Sequence, residues 1–579
     1  VPRQLLVQTN FASGEFDETL SDRPDLQRFQ NAALTMLNWL PRLQGGADRF
    51  PGTRYLWSLV GEARLEDFEA APGARFLLVF QSGALRIFLA DALLQTLVTP
   101  WEGAEIWELD LTQAFDTAIL THGNHAPRRL YRDAMGVWFL EDLMDTGNPT
   151  HFLNVPQADG ADQWSAALGY PMTATFHESR LVLAGSPTYP NRVWFSKTGI
   201  FFDFDVGTGL DDEGFSRDLN SDELETILWL YSGRTLLLGT TVGEWAVIQD
   251  GYVTPAFCTL RRQTRIGSKQ VRPVETDGAV LHLSTQGTEL RELLFTDVEQ
   301  SYGTRPLSVL DARAVSGGKQ LAAQTGSGEQ ADTTYVVNED GTLGVLQSLR
   351  DQEVLNWCRR TFQGAVESAA VVGGEVYLVT RYAFGPGVYE EGVHEEGVYE
   401  ASGGSTARFL VKLDAAAVLD FQKTVTAAPG TTVWDGFAHL AGSTIQVLLD
   451  GERDEDAEVS ATGEITTAYG GETLTAGVAI PAPTLTPMPV AFDSQKGQIL
   501  HLRKRIVRSL VKVRATRALT VDGRELSFRP AHDPFAPLAP WSGVREIRHL
   551  GYSREATYPI TAPEPFPATV VSITREVAY

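Results

Sequence analysis

The sequence predicts a mainly β fold: a propeller-like array of hairpin blades, an N-terminal helix, and additional β-sandwich-type elements. Three observations predict it. Short apolar strand pairs joined by Gly-containing or polar turns recur along the chain, their first strands beginning near Phe76, Ile119, Leu181, Leu236, Val280, Tyr335 and Val376. Their spacing, 41 to 62 residues, overlaps the ~40 to 50 residues of a four-stranded blade and runs beyond it. Composition agrees, with 53 Gly and 29 Pro as turn-makers and 28 Phe and 12 Trp to fill strand faces. One hairpin cannot bury both of its faces, whereas a ring of stacked blades can and leaves only short edges. The competing arrangement is a string of unrelated hairpins in a sandwich.

Residues 1–60 read as an arm. An extended, turn-rich start is followed by Leu26, Phe29, Ala33, Leu37 and Leu40 at spacings of three and four, between Pro24 and Pro41. That pattern predicts a helix with one buried face. Gln44-Gly45-Gly46 and Phe50-Pro51-Gly52-Thr53 are loop chemistry before a strand at 55–59.

Residues 61–415 hold the seven hairpins. The clearest is 178–205, ESRLVLAGSPTYPNRVWFSKTGIFFDFD: an apolar strand, a Gly-Ser-Pro turn, then an aromatic strand whose Trp194 and Phe195 are assigned to the blade core. The seventh pair, 374–382 with 407–415, is split by an insertion at 383–407. There Gly-Val-(Tyr or His)-Glu repeats in tandem and five carboxylates, Glu390, Glu391, Glu395, Glu396 and Glu400, stand without a Lys or Arg. Like charges on a Gly-rich tract predict an exposed loop, and these five are candidate channel or interface residues.

Residues 416–579 read as a C-terminal β domain of sandwich type. In 499–521 alternation places Val507, Val511, Val513 and Ala515 on one face and Arg508, Lys512 and Arg514 on the other. With Arg503, Lys504 and Arg505 this is the main cationic concentration, a candidate inter-subunit basic strand. No aromatic residues interleave it, which argues against nucleic-acid binding.

The formal charge of −25 excludes a surface that clamps phosphate backbones throughout. Two cysteines are too few for a disulfide scaffold of this size. The opening VPRQLLVQTNF has no signal-peptide core, and no apolar run nears the ~18 residues of a membrane span, so the reading is of a protein folded in a cytosol. Catalytic signals are poor, and no catalytic, cofactor or metal residues are assigned. Ser316-Gly-Gly-Lys319 and Lys197-Thr198-Gly199 occur in the wrong order for a penicillin-binding enzyme. His122 and His125 lack further ligands for zinc. Asp203, Asp205, Asp211 and Asp212 lack an EF-hand register.

From residue 8 to its closing strand the chain resembles tail tubular protein B, the tail nozzle family of short-tailed bacteriophages and their prophages, beginning with the family's opening. The matching phrases are Thr9-Asn10-Phe11 with Gly14-Glu15, Asp25-Leu26 through Asn31, and Pro41 through Thr53; Phe29 stands where the family usually has Tyr. The 178–205 phrase is similar almost throughout, and ILWLYSGRTLLLGTTVGEWAV, RRQTRIGSKQVRPV and the turn at 338–343 are similar too. The Gly-Val-Tyr-Glu-Glu tandem is not a family phrase. The resemblance implies a structural virion protein and not an enzyme. It implies a homohexameric ring that completes and closes the DNA-ejection channel, docks to a tail adaptor ring and to tail fibres or their adaptors, and passes double-stranded DNA without sequence-specific binding. Its place would be the virion tail, after assembly in the host cytoplasm. An acidic lumen would let phosphates slide, over the ~10 Å that screening allows. The alternative is a receptor- or glycan-binding propeller, which needs aromatic, carboxylate-rimmed pockets; further off is a polysaccharide hydrolase.

Overall fold

The runs FLLVF at 76–80, LVLA at 181–184 and LLLG at 236–239 are apolar at every position, and each is a strand buried on both faces. The computed structural model describes residues 3–145, 150–158, 160–248, 252–296, 300–326, 331–352, 354–383, 406–494, 497–499, 502–526, 528–529 and 538–579. Among the described residues, six antiparallel four-stranded blades follow one another within 63–98, 110–142, 173–218, 227–262, 274–306 and 320–360. The seventh takes Gly364–Val372, Glu375–Ala383 and Thr406–Leu413 from its own stretch. Its fourth strand is Thr53–Leu59, supplied by the N-terminal arm, with Leu410 opposite Trp57. The seven hairpins read in the sequence are the second and third strands of these blades. The insertion joins the two middle strands of blade seven, where Ala383 pairs with Thr406; Glu390, Glu391, Glu395, Glu396 and Glu400 lie outside the described residues.

Alternation along each strand decides which neighbour a side chain meets. In blade one Phe76, Leu78 and Phe80 pack toward blade two, while Leu77 and Val79 pack toward blade seven. In blade three Leu181, Leu183 and Trp194 face blade two, and Val182, Ala184 and Phe195 face blade four. Similar cores lie between blades four and five and between five and six. Two-sided burial is why these strands show continuous apolar runs rather than alternation. Closure brings the first strand of blade seven against that of blade one, Ala63–Ala71. The Leu65 N–H donates to Ser368 Oγ (2.8 Å), and Gln320 of blade six accepts from Ser368 Oγ (2.6 Å) while donating to the Leu65 carbonyl (2.8 Å).

The N-terminal helix is not formed. Residues 25–40 instead hold a 3-10 turn, Phe29–Asn31, and two strands, Ala32–Leu37 and Trp39–Pro41. The spacing of three and four was real, but sheet neighbours on both sides of Ala32–Leu37 override it. Gly14–Glu15 pairs in parallel on one edge and Thr484–Pro487 antiparallel on the other.

The two ends of the chain share their sheets. Arg3–Gln8 and Arg505–Thr516 flank the last strand, Thr569–Ala578, and Trp541–Arg548 lies beyond. Blade six continues through Gly14–Glu15 and Ala32–Leu37 into Thr484–Pro487 and Ile560–Thr561. Blade seven continues through Thr53–Leu59 to the long strands Asp420–Trp434 and Ile465–Val478. All three sheets close on one core that includes Trp39, Phe50, Cys358, Phe409, Trp434 and Val511. Two glycines fit the arm into this body. A Cβ on Gly14 would sit 2.4 Å from the Trp357 carbonyl oxygen, at a φ of +70°, and one on Gly52 would sit 2.0 Å from the Leu419 carbonyl oxygen.

Candidate functional site

Three places gather polar chemistry: the seam between propeller and terminal sheets, the sheet face carrying the basic strand, and the propeller axis.

At the seam, charged residues from distant parts of the chain are buried together. Arg359, at the end of blade six, donates from Nε (3.0 Å) and Nη2 (2.6 Å) to the two oxygens of Glu15. Arg313 reaches Glu15 (3.1 Å) and Asp311 (3.1 Å). Burial, with the Glu15 charge nearby, pushes the Asp311 carboxyl above the usual range. Beside this set, fully buried Arg360 pairs with fully buried Asp420, donates to Asn38 Oδ1 (3.1 Å), and lies over the rings of Phe362 and Phe50. Thr53 ties in through its hydroxyl, which accepts from the Phe421 N–H (3.0 Å). Burial holds the Asp420 carboxyl up at about 6, against the pull of Arg360 and Arg49.

The basic strand is Arg505–Thr516. Bulges between Ile506 and Arg508 and after Lys512 shift its phase, so Ile506, Val511 and Val513 face the core and Ala515 turns outward. Arg508 bonds Glu576 (2.5 Å) and approaches Glu546 (3.5 Å). Arg503, Lys512 and Arg514 are exposed, and Arg505 is half-buried. Lys504 departs from the reading of an outward basic face. It is fully buried, its Nζ donates to the Val490 carbonyl (2.6 Å), and burial together with Arg575 pushes its amine below the usual lysine range. The outer face of this sheet also shows Leu5, Val7 and Val544, each more than half exposed.

Along the axis, the first strands of blades one, four, five, six and seven line a cavity of about 260 Å³. It shares Trp107, Gln270, Val271 and Lys319 with a neighbouring space of about 240 Å³, so the two form one funnel. Lys319 Nζ sits 5.0 Å over the Trp107 ring, and burial lowers its amine, opposed by Glu367 and Glu62. Asp67 faces the same space; burial and adjoining Glu66 raise its carboxyl.

Trp194 is fully buried, its Nε1 donating to Gln163 Oε1 (2.8 Å), and Phe195 stacks on Phe215. In the turn after them, Lys197 pairs with Asp203 (3.1 Å) and Asp205 (3.0 Å). His122 and His125 lie near Glu108 (3.2 Å) and Glu105 (3.0 Å). Among the described residues no group of three or more His, Cys, Asp or Glu is placed to hold a metal ion. No helix there is long and apolar enough to cross a membrane. Sequence reasoning missed the seam charges and the axial residues. The adjacent pair Arg359-Arg360, ending an otherwise buried strand, was the available signal for the seam. Lys319 was noticed only within the rejected Ser-x-x-Lys pattern.

No family model and no curated protein matches this chain. Among solved structures, it is similar to the WD40 repeats of RRP9, at 9% identity and a TM-score of 0.35, over 63% of this chain and 99% of that one. It is similar to U3-55K at 9% identity and a TM-score of 0.36, over 62% and 99%. A luciferin-regenerating enzyme follows at 8% and 0.32, over 63% and 96%.

Proposed function

We propose that this β-propeller protein is the subunit of a tail nozzle: a ring-forming structural protein of a short-tailed phage particle that completes and closes the DNA-ejection channel. The observation that carries the reading is where the family-like phrases fall. Gly14-Glu15 and Pro51-Gly52-Thr53 are the residues that lock the arm to blade six and to the C-terminal strands, by close backbone approach and by bonds to Arg359, Arg313 and Phe421. A residue pattern that fits a propeller to a body woven from both termini is what a nozzle subunit needs. On this reading the DNA path is the space enclosed between copies in the ring, not the axis of one propeller. The open face with Arg508, Lys512, Arg514, Leu5 and Val544 is the surface offered to a neighbouring copy, whose net charge of −25 complements it. Electron microscopy of the purified chain mixed with the adaptor protein of the same tail tests this. A six-fold ring stacked on the adaptor is the expected image. A monomer that never joins the adaptor ring at any ratio overturns it.

A further inference from the structure

Two strands of the terminal body have one open edge each, at opposite sides of the same sheet. Among the described residues Arg3–Gln8 pairs only with Thr569–Ala578. Trp541–Arg548 pairs only with Arg505–Thr516, which pairs in turn with Thr569–Ala578. All three pairings are antiparallel, so the two outer strands run in opposite directions. An open edge is a template for another strand, and folded proteins blunt it with bulges, Pro or charge. Arg3–Gln8, RQLLVQ, has one charge and no Pro, its register against Thr569–Ala578 is unbroken, and Leu5 and Val7 are more than half exposed. The charge-free outer strand of blade one, Ala92–Val98, is by contrast interrupted by a bulge between Leu93 and Gln95.

The side chains indicate what completes this edge. Leu5 lies opposite Glu576, Glu576 opposite Arg508, and Arg508 opposite Arg548. With a period of two, Arg3, Leu5 and Val7 therefore share the outer face with Ser542, Val544 and Glu546, and all six are exposed. Place Arg3–Gln8 antiparallel to the Trp541–Arg548 edge of a second copy, with Leu5 opposite Val544. Arg3 then falls opposite Glu546, and Val7 opposite Ser542: one apolar pair, one pair of opposite charges and no repulsion. A shift of two residues sets Arg3 against Arg548 in one direction and against Val544 in the other, and the ion pair is lost. Two copies of Arg3–Gln8 paired with each other contain no opposite charges at all. We propose that Arg3–Gln8 of one copy adds to the Trp541–Arg548 edge of the next copy in this register. The two edges lie on opposite sides of the sheet, so the contact is head-to-tail, and its repetition makes a ring where the rotation closes. The inference rests on the ring-forming reading above and names the strands that make the ring.

Disulfide capture on the full chain, mixed with the adaptor protein of the same tail, tests it in a Cys258→Ser background that removes the half-buried native thiol. Leu5→Cys and Val544→Cys combined in one chain are expected to give a ladder of covalent multimers on mild oxidation. Within one copy the two positions are three strand spacings apart, about 14 Å, roughly twice the reach of a disulfide, so the ladder reports contact between copies. Each single variant, and Leu5→Cys combined with Arg548→Cys, is expected to give no ladder. Val7→Cys with Ser542→Cys, the adjoining pair in the same register, provides the same readout if the first pair does not fold. Rings seen by electron microscopy without a ladder from either pair overturn the edge pairing and leave the nozzle reading standing. A chain that forms no ring overturns both. Cross-linking through Leu5→Cys alone overturns the pairing too, because it sets like edges together, and a ladder from Leu5→Cys with Arg548→Cys overturns the register.

Discussion

The propeller and the terminal sheets use the same strand chemistry but differ in how far apart their partners lie along the chain. Inside a blade, Val182 pairs with Phe195 across one turn. In the terminal body, Arg3 pairs with Ala578 and Thr569 with Asp48. Local pairing makes each blade an independent hairpin that its neighbours then cover. The terminal body exists only once both ends of the chain have met. A change at the seam should therefore loosen the terminal body first, and a change between blades should loosen the ring.

The largest effect is expected at Arg360. Arg360→Ala leaves the Asp420 carboxylate buried without its partner and removes the guanidinium from over Phe362. Breaking a buried pair on one side costs about 3 to 5 kcal/mol, and the lost packing sets the expectation at the upper end, about 5 kcal/mol. Hydrogen exchange should rise in 3–59 and 420–579 while the blade two to five hairpins stay protected. Equal loss of protection in all blades would remove the distinction between the two regions.

Trp194→Ala probes the other side. It empties a site bounded by Trp164, Leu181 and Phe204 and leaves the Gln163 carbonyl oxygen with Arg192 as its donor, at about 3 to 5 kcal/mol. The loss should appear in urea unfolding and in exchange at blades two and three. An unchanged unfolding midpoint would place this ring at the surface.

The same contrast explains what could be read without coordinates. Phe76, Ile119, Leu181, Leu236, Val280, Tyr335 and Val376 marked the blades because second and third strands meet across one turn and carry unbroken apolar runs. The first and fourth strands were harder to read: Val274–Thr276 is three residues long, and Thr53–Leu59 was legible as a strand while its partner Thr406–Leu413 lies some 350 residues away. Residues 25–40 were misread because Leu26, Phe29 and Ala33 satisfy a helical spacing that tertiary pairing overrules. The candidate sites were less legible still. Lys504 reads as one more charge in a basic run, and only the fold shows its amine on the Val490 carbonyl. Lys319 and Arg272 share a cavity only because blades five and six meet at an axis.

Asp420 sharpens the comparison through pH. Its folded value of about 6 lies above the ordinary 3.8. A carboxyl raised on folding contributes stability that is fully present below the unfolded value and lost as pH rises through the folded one. Relative to Asp420→Asn, whose side chain does not titrate, the wild-type protein should therefore gain about 2 kcal/mol on going from pH 7 to pH 4. Thermal melts of both proteins across that window measure it. A constant offset between the two curves would mean that burial does not control this group.

A smaller loss belongs to the ring closure. Gln320→Ala removes the amide that joins Leu65 of blade one to Ser368 of blade seven, leaving the buried Ser368 hydroxyl and Leu65 carbonyl short of a partner, at about 1 to 3 kcal/mol. Exchange of the Leu65 and Ala369 amides should rise before that of blade three. If blade three opens first, closure at blades one and seven is not the weak point of the ring.

The least effect on folding is expected at Arg508. Its partners Glu576 and Glu546 lie on the same open sheet face, where water and salt screen the pair and two long side chains must be ordered to form it. Arg508→Glu should leave the melting temperature of the isolated chain unchanged within error. Its consequence belongs to association: reversing the charge replaces a complement to the acidic neighbour with a repulsion, so ring formation with the adaptor should fall and partly recover at high salt. A folded variant that rings as readily as wild type at every salt concentration would leave this face without a part in the contact between copies, and would move the interface to another surface of the terminal body.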